Sequence, residues 1–315
     1  MPIFSIFQYF SDSLEKVIEN YFNHVAKPTE YRMLEEIRIR SNRPLILKFS
    51  DREKILEYIV SPEDVLETLQ KICENSIYSY QNQICEGFIT LRGGHRVGIS
   101  GNVVTEKDRI INMNYISSLN FRIAKQINGC CNRFLKYMIN LDNHSIYNTL
   151  LVSEPGAGKT TVLRDLVRRI SNGIESIGFP GMNIGLVDER GEIAAMYKGV
   201  AQNDVGMRTD VLSNVKKSKG MKLLIRSMAP KIIVADEIGS KEDVEAIHEA
   251  VCSGIKGIFT AHGGSLEDIS INPSIKDLLK SHVMERIIFL DSKKMKGEIE
   301  KVYALNKMNS EYIIY

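Results

Sequence analysis

The chain has 315 residues, and 41 Lys and Arg stand against 39 Asp and Glu, so the formal net charge at pH 7 is only +2. Hydrophobic residues make up 43% and charged residues 25%. This composition is that of soluble globular proteins and excludes a disordered chain, a collagen and a disulfide-dense mini-protein. The near-neutral charge argues against a generally basic nucleic-acid binder, and the length predicts about two domains.

The first ten residues are apolar and rich in aromatic side chains. They lack the basic region and cleavage site of a secretion signal, so we predict a helix or strand that packs on the first domain. A docking surface for a membrane partner is the alternative. No apolar stretch approaches the ~20 residues of a membrane span. The five cysteines contain no C-x-x-C pair, which favours a reducing cytosol.

Residues 1–143 are predicted to form a smaller α+β N-terminal domain. Its β-prone runs are at residues 37–39, 45–49, 58–60, 88–92, 95–99 and 118–124. Ser61 is placed to cap a helix that begins at Pro62. Gly93 and Gly94 lie between two β-prone runs, a pattern typical of a tight hairpin. The polar segment 140–148 is predicted to link this domain to the next.

From residue 144 to 315, strand-like runs alternate with amphipathic helical patterns. The runs are at residues 149–152, 184–187, 231–235, 257–260 and 286–290, with terminal strands at 298–305 and 312–315. This alternation predicts βαβ units and therefore an α/β domain with a mostly parallel sheet.

Residues 153–160 read Ser-Glu-Pro-Gly-Ala-Gly-Lys-Thr and lie between an apolar strand and an amphipathic helix. Glycines allow consecutive backbone N–H groups to converge on a phosphate, and the helix N-terminus adds positive potential. The segment predicts the phosphate loop of a P-loop NTPase (RecA-like) domain, although Ser153 replaces its usual first glycine. Lys159 would reach the β- and γ-phosphates, and Thr160 would ligate Mg²⁺. The predicted nucleotide-binding residues are Glu154, Pro155, Gly156, Ala157, Gly158, Lys159, Thr160 and Thr161.

Acidic and polar side chains follow three further strands. After the run 231–235, Asp236 suits the Mg²⁺ shell and Glu237 suits the general base or the group that orients the attacking water. Thr260 or His262 would sense the γ-phosphate, with a structural histidine as the alternative. Glu189 lies in an acidic cluster that would orient water or metal, and a surface salt-bridge cluster fits it nearly as well.

Basic residues suggest two further contacts. Arg92 and Arg96 flank the Gly93-Gly94 turn and are expected on opposite faces of the hairpin, while Arg122 lies in the strand at 118–124. Arginine stabilises charge on a transferring phosphoryl group, so all three are candidates for nucleotide contact, within one chain or between subunits. A solvated hairpin tip is the alternative. The lysine-rich segment 216–219 is predicted as a solvated loop, with a polyanion or pore contact as the minority interpretation.

Four motifs together resemble the stage III sporulation protein AA family of endospore-forming bacteria. They are residues 89–98 with 117–124, 187–194 and 235–239. The family is similar to the ring ATPases of type II and type IV secretion, in which residues 224–230 and 260–262 have counterparts. Those ATPases usually have glycine at the position of Asp236, so the metal and base assignments rest on general phosphate-loop chemistry.

The resemblance implies a mother-cell ATPase that drives or helps to assemble a secretion-like channel into the forespore. It implies a homo-hexameric ring, peripheral at the cytoplasmic face of the membrane and docked to a membrane protein of the same sporulation operon. In the secretion ATPases, arginines of the N-terminal domain touch nucleotide between subunits, which favours Arg92, Arg96 and Arg122. The expected reaction is hydrolysis of ATP to ADP and phosphate with Mg²⁺, coupled to movement of the first domain about residues 140–148.

The rival hypothesis is a nucleic-acid motor or a single-strand-binding ATPase on the same core. Such a protein needs a basic groove with stacking aromatic groups. The charge of +2 and the lack of Trp disfavour it. A third option is a slow nucleotide-binding switch that serves as a scaffold.

Overall fold

The computed structural model describes residues 3–27, 30–291, 297–306 and 308–315. Two compact units are present. The first contains the described residues up to Lys125 together with Tyr197–Gln202, and the second contains Gln126–Met196 and Asn203–Tyr315. This grouping differs from the predicted boundary at 143/144, because the segment after Gln126 bonds to the second unit: the Cys131 N–H donates to the Asp165 carboxylate at 3.0 Å.

The first unit is an antiparallel sheet with short helices. In chain order it contains a 3-10 helix (Ile3–Tyr9), α1 (Asp12–Asn20), a π-helix (Tyr21–Val25), α2 (Glu30–Met33), β1 (Leu34–Arg40), β2 (Pro44–Phe49), β3 (Glu53–Ile59), α3 (Pro62–Ile72), a 3-10 helix (Ile77–Tyr80), α4 (Gln81–Cys85), β4 (Phe88–Thr90), β5 (Arg96–Glu106) and β6 (Arg109–Arg122). The strands lie in the order β3-β2-β1-β6-β5-β4. The predicted α+β class of this domain is confirmed.

One face of this sheet forms the core. Ile37, Leu47, Val97 and Phe121 are fully buried and pair across neighbouring strands. The apolar N-terminal segment covers the same core, since the rings of Phe10 and Phe121 lie 4.4 Å apart. The prediction of an N-terminal helix that packs on the first domain is therefore confirmed; Met1 and Pro2 lie outside the described residues.

The predicted helix at Ser61 and the hairpin are both present. Ser61 and Asp64 form a reciprocal capping box, in which each side chain accepts the other's backbone N–H. The hairpin is looser than predicted: β4 ends at Thr90 and β5 begins at Arg96. Arg92 is therefore a turn residue and not a strand residue, which corrects the expectation that it faces away from Arg96 on a strand.

The turn of that hairpin is fixed by His95, whose side chain is buried. Its Nδ1 accepts a hydrogen bond from the Ala124 N–H at 3.1 Å. Burial disfavours the charged imidazolium and lowers the pKa of His95 from 6.5 to about 4. The native state therefore holds this side chain neutral.

We expect His95 to make the first unit sensitive to acid. Below about pH 6.5, His95 binds a proton in the unfolded chain but stays neutral in the folded chain. The stability that is present above about pH 6.5 is therefore lost as the pH falls toward 4. The loss due to this group is about 3 kcal/mol. His95→Asn retains a neutral acceptor for Ala124 and should remove this part of the pH dependence. Urea unfolding at pH 7 and pH 5 measures it, and an identical pH slope in the two proteins would contradict the assignment.

A short β-hairpin from the second half of the chain belongs to the first unit from Tyr197 onward. It comprises β11 (Met196–Tyr197) and β12 (Val200–Ala201), which come after β7 (Ile139–Asn140), β8 (Ser145–Ile146), β9 (Thr149–Ser153) and β10 (Ile184–Asp188). The Tyr197 hydroxyl donates to Glu74 at 2.5 Å, and Lys198 forms an ion pair with Glu74 at 2.6 Å. The Gly93 N–H donates to the Gln202 side chain at 2.8 Å. No pattern in the sequence predicts that residues 197–202 pack with the first unit.

The second unit is an α/β domain. Besides β7 to β10 it contains α5 (Asn132–Met138), α6 (Lys159–Asn172), a 3-10 helix (Glu175–Ile177), β13 (Thr209–Ser213), α7 (Lys217–Met228), β14 (Ile232–Ala235), α8 (Lys241–Cys252), β15 (Lys256–His262), α9 (Leu266–Ile269), α10 (Pro273–Lys280), β16 (Arg286–Leu290), β17 (Ile299–Asn306) and β18 (Glu311–Ile314). The segment 140–148, predicted as a linker, lies inside this unit as the β7–β8 hairpin.

The main sheet has the strand order β13-β10-β14-β15-β9-β16-β17-β18. The strands from β13 to β16 are parallel, and β17 and β18 add an antiparallel edge. Every residue of β9, β10 and β14 is buried, which is expected for central strands covered by helices on both faces. The carboxyl ends of these strands meet at one edge of the sheet.

Two predictions for this unit were incomplete or wrong. Strand β13 was not predicted, because its residues are only half-buried and form no apolar run. The lysine-rich segment 216–219 is not a loop: α7 begins at Lys217. Among the helices of the described ranges, none is long and apolar enough to cross a membrane.

Candidate functional site

The loop between β9 and α6 contains two glycines with left-handed backbone conformation. Gly156 and Gly158 adopt φ angles of 82° and 92°, a region that side chains disfavour. Helix α6 begins directly after Gly158, which has no side chain to cap the first N–H groups. Such an N-terminus attracts anions, because its free N–H groups and the helix dipole are both positive.

Lys159 is folded back into this loop. Its Nζ donates to the backbone oxygen of Ser153 at 2.7 Å and to the Ser153 hydroxyl at 3.1 Å, and it lies 3.1 Å from Nδ1 of His262. Only 6% of Lys159 is exposed. Burial lowers the pKa of its ammonium group, while the negative charges of Asp236 and Glu237 oppose that shift. The serine that departs from the usual glycine pattern therefore supplies an acceptor for Lys159.

Thr160 connects the loop to the end of β14. Its hydroxyl donates to Oδ2 of Asp236 at 2.9 Å, and the Thr260 hydroxyl donates to Oδ1 of the same carboxylate. Burial raises the pKa of Asp236, and the hydrogen bonds from the two threonines partly offset that effect. Hydroxyl and carboxylate oxygens are hard ligands, so Thr160 and Asp236 fit a magnesium ion that keeps several waters and takes further oxygens from phosphate.

Glu237 occupies a bend. Its φ angle is 54°, and its N–H donates to the Thr260 hydroxyl at 2.7 Å. Its carboxylate contacts Nε2 of His262 at 2.9 Å and forms an ion pair with Arg190 at 2.5 Å. A chain of contacts thus runs from Lys159 through His262 and Glu237 to Arg190. A lysine ammonium group can only donate, so the neutral tautomer of His262 that fits both contacts carries its proton on Nε2.

The acidic loop after β10 is organised around the carboxylate of Asp188. Asp188 is buried, and its carboxylate accepts backbone N–H groups at 2.8–3.3 Å from the segment 192–195. Arg164 of α6 donates to the backbone oxygens of Glu192 and Ile193 at 2.6 and 2.8 Å. Asp188 therefore shapes the loop.

The next residue, Glu189, forms an ion pair with Lys217 at 2.7 Å. A cavity of about 450 Å³ lies between the first turns of α7 and α8, and Glu189 and Glu237 both line it. The two acids thus face one space. The alternative interpretation of Glu189 as a salt-bridging residue describes its contact in this structure, and its catalytic role stays a prediction.

The three candidate arginines lie in the first unit. Arg96 and Arg122 are direct cross-strand partners on β5 and β6, and the Arg96 guanidinium stacks over the Phe88 ring with a separation of 4.5 Å. Arg92 is exposed in the turn. Their contact with nucleotide stays a prediction.

Sequence reasoning gave no individual role to several residues of this region. Arg190, which pairs with Glu237, and Arg164, which holds the acidic loop, were passed over because arginine has no fixed spacing from the strand ends. The predicted γ-phosphate sensor Thr260 has its hydroxyl engaged by Asp236 and Glu237. Only its position at a strand end pointed to it.

Comparison with known proteins identifies the family. A profile described as "Sporulation stage III, protein AA" matches residues 4–309. The stage III sporulation protein AA of Bacillus subtilis (strain 168) is 38% identical over 293 residues, which cover 93% of this chain and 94% of that protein. The chain belongs to the stage III sporulation protein AA family. The resemblance found in its motifs is therefore confirmed.

Two solved structures, an ATPase and a pilus retraction motor, have the same fold. The Legionella pneumophila ATPase DotB aligns with a TM-score of 0.55 at 13% identity, over 94% of this chain and 78% of that one. The pilus retraction motor PilT, solved with bound ADP, aligns with a TM-score of 0.52 at 15% identity, over 88% of this chain and 76% of that one. The family member described here thus has the P-loop fold of these ATPases, preceded by an α+β domain, as predicted.

Proposed function

We propose that this protein is a Mg²⁺-dependent ATPase that drives or assembles a secretion-like channel between mother cell and forespore. The observation that carries the proposal is the Thr160–Asp236 hydrogen bond of 2.9 Å beside a buried Lys159. It joins the phosphate loop to the acidic end of β14, as hydrolysis at a phosphate loop requires. Membership of a sporulation family supplies the biological setting, and the fold shared with the DotB and PilT structures supports an ATPase.

The loop would bind the triphosphate through residues 154–161. Lys159 has three partners within the protein: the two oxygens of Ser153 and Nδ1 of His262. When phosphate enters, the ammonium exchanges these neutral acceptors for charged oxygens, which are stronger partners. The N-terminal N–H groups of α6 hold the same anion. The lysine and the helix end together favour a polyphosphate over a neutral ligand.

Thr160 and Asp236 would hold Mg²⁺, which neutralises phosphate charge and assists the departure of the leaving group. Glu237 would orient the attacking water and accept its proton. In the structure Glu237 is engaged by His262 and Arg190, so it must leave at least one of them to bind water. When Lys159 turns to phosphate, His262 loses its contact with the lysine at Nδ1. Glu189 would support the water from the opposite wall of the cavity.

The proposal includes a homo-hexameric ring in which Arg92, Arg96 and Arg122 of one subunit stabilise phosphoryl charge at its neighbour. The ring would be peripheral at the cytoplasmic face of the mother-cell membrane, bound to a membrane protein of the same operon. Support comes from the family and the fold. We expect no nucleic-acid partner, since a net charge near zero disfavours binding to a polyanion.

The direct test is phosphate release from ATP by the purified chain, with Mg²⁺ and with EDTA. We expect Mg²⁺-dependent turnover that single-stranded polynucleotide does not stimulate, and a larger assembly in sedimentation when ATP is present. Absence of Mg²⁺-dependent turnover in every assembly state contradicts the ATPase. Strong stimulation by polynucleotide favours the nucleic-acid motor instead.

We expect Arg122→Ala to lower turnover at least tenfold. An arginine that stabilises the charge of a transferring phosphoryl group raises the turnover rate by roughly 10³-fold or more. Mixing this variant with the inactive Lys159→Ala protein should restore part of the activity, since some interfaces then pair an intact loop with an intact arginine. Arg38→Ala, which removes an arginine held by Glu36 at 2.6 Å in the same sheet, is the control. No recovery on mixing would place the arginine's action within one chain.

A further inference from the structure

Thr260 is a fully buried threonine near the end of β15. We propose that Thr260 is a positioning residue whose single hydroxyl fixes both acids at the end of β14, the metal-binding Asp236 and the water-orienting Glu237. The inference rests on the proposed function and adds a residue to it. It assigns Thr260 a role distinct from contact with phosphate.

The hydroxyl has no capacity left for a phosphate. A threonine hydroxyl donates one hydrogen bond and accepts through its lone pairs. Here the proton goes to Oδ1 of Asp236, and the oxygen accepts the Glu237 N–H at 2.7 Å. Both partners belong to the neighbouring strand end, and Thr260 itself is fully buried. A phosphate contact would have to break one of these bonds.

The first bond sets the plane of the Asp236 carboxylate. Each of its oxygens accepts a hydrogen bond from a different threonine: Oδ1 from Thr260, and Oδ2 from Thr160 at 2.9 Å. With Oδ1 fixed, Oδ2 faces the phosphate-loop helix, where the metal would lie. Without the Thr260 hydroxyl, the carboxylate keeps one anchor and is free to rotate about it.

The second bond holds the bend at Glu237. This residue has a left-handed φ of 54°, which a residue with a side chain adopts only when its surroundings impose it. Thr260 imposes it from two atoms, because its backbone oxygen also accepts the Ile238 N–H at 2.8 Å. The bend directs the Glu237 carboxylate toward His262 and Arg190 and away from the strand axis. Loss of the hydroxyl leaves the Glu237 N–H without its acceptor.

Thr260→Val and Thr260→Ser separate the hydroxyl from the shape of the side chain. Binding of a fluorescent ATP analogue is measured with Mg²⁺ and with EDTA, beside phosphate release. We expect Thr260→Val to bind the analogue normally in EDTA, to lose the gain in affinity due to Mg²⁺ by roughly tenfold or more, and to lose turnover by a similar factor. Thr260→Ser should restore both. If Thr260→Val does not fold, Thr260→Ala removes the hydroxyl without placing a methyl group against Asp236.

Thr149→Val is the matched control. Thr149 is fully buried in the same sheet, and its hydroxyl donates to the Tyr147 backbone oxygen at 2.8 Å at the opposite end of β9. It should lose stability without any change in the Mg²⁺ effect. Wild-type turnover with an unchanged Mg²⁺ effect in both hydroxyl-free variants overturns this inference alone. A wild-type chain without Mg²⁺-dependent turnover overturns the proposed function, and this inference with it.

Discussion

Lys159→Ala is expected to lose ATP turnover by on the order of 10³-fold or more, because it removes the only side-chain cation within the phosphate loop itself, residues 153–160. Lys159 is buried and lies within hydrogen-bond distance of three acceptors. Those contacts hold the ammonium group inside the loop before any nucleotide arrives. Phosphate release with saturating ATP and Mg²⁺ measures the effect.

Stability distinguishes a lost function from a lost fold. Burial already disfavours the Lys159 charge, so Lys159→Met, which keeps most of the volume, should unfold no earlier than the wild-type protein in urea. Lys256→Ala is the control lysine: it removes an ion pair with Glu285 of 2.7 Å at the opposite end of β15 and should retain turnover. Normal turnover in Lys159→Ala would refute the phosphate-loop assignment.

Asp188→Ala is expected to destabilise the second unit by roughly 4 kcal/mol, since it strips several buried backbone N–H groups of their acceptor. The carboxylate accepts N–H groups from Glu192 through Ala195. That loop also carries Glu189 and Arg190, so turnover should fall even at temperatures where the variant is folded. Urea unfolding and phosphate release measure the two effects.

Glu189→Ala is the control for stability. It removes a neighbouring acid whose one ion pair, with Lys217, is partly exposed, and such pairs contribute about 0–1 kcal/mol. Asp188→Asn keeps one acceptor oxygen, so its stability should lie between those of Asp188→Ala and Glu189→Ala. If Asp188→Ala were no less stable than Glu189→Ala, the carboxylate would not be organising the loop.

The strands around the site were predictable because they are continuous apolar runs. β9 and β14 are fully buried, and polar residues mark their ends, so Lys159, Thr160 and Asp236 could be assigned to one sheet edge before the structure was known. The phosphate loop was also readable, since its glycines and lysine have fixed spacing. The catalytic roles of these residues remain predictions.

The missed features depend on tertiary contacts. Strand β6 runs from Arg109 to Arg122, yet only its end was predicted, because the first part is exposed and shows no alternation of polar and apolar residues. Helix α7 begins in a lysine-rich segment that resembles a loop. The roles of Asp188 and Thr260 are set by which backbone N–H groups face them, and a sequence does not contain that information.

The β11–β12 hairpin affects how this protein is to be handled. Tyr197–Gln202 fold with the first unit although they lie far along the second half of the chain. A fragment that starts at Gln126 would therefore carry six foreign residues, with Tyr197 and Lys198 deprived of Glu74 and Gln202 deprived of Gly93. Truncation at a single point cannot yield either half intact, so biochemical work belongs on the whole polypeptide.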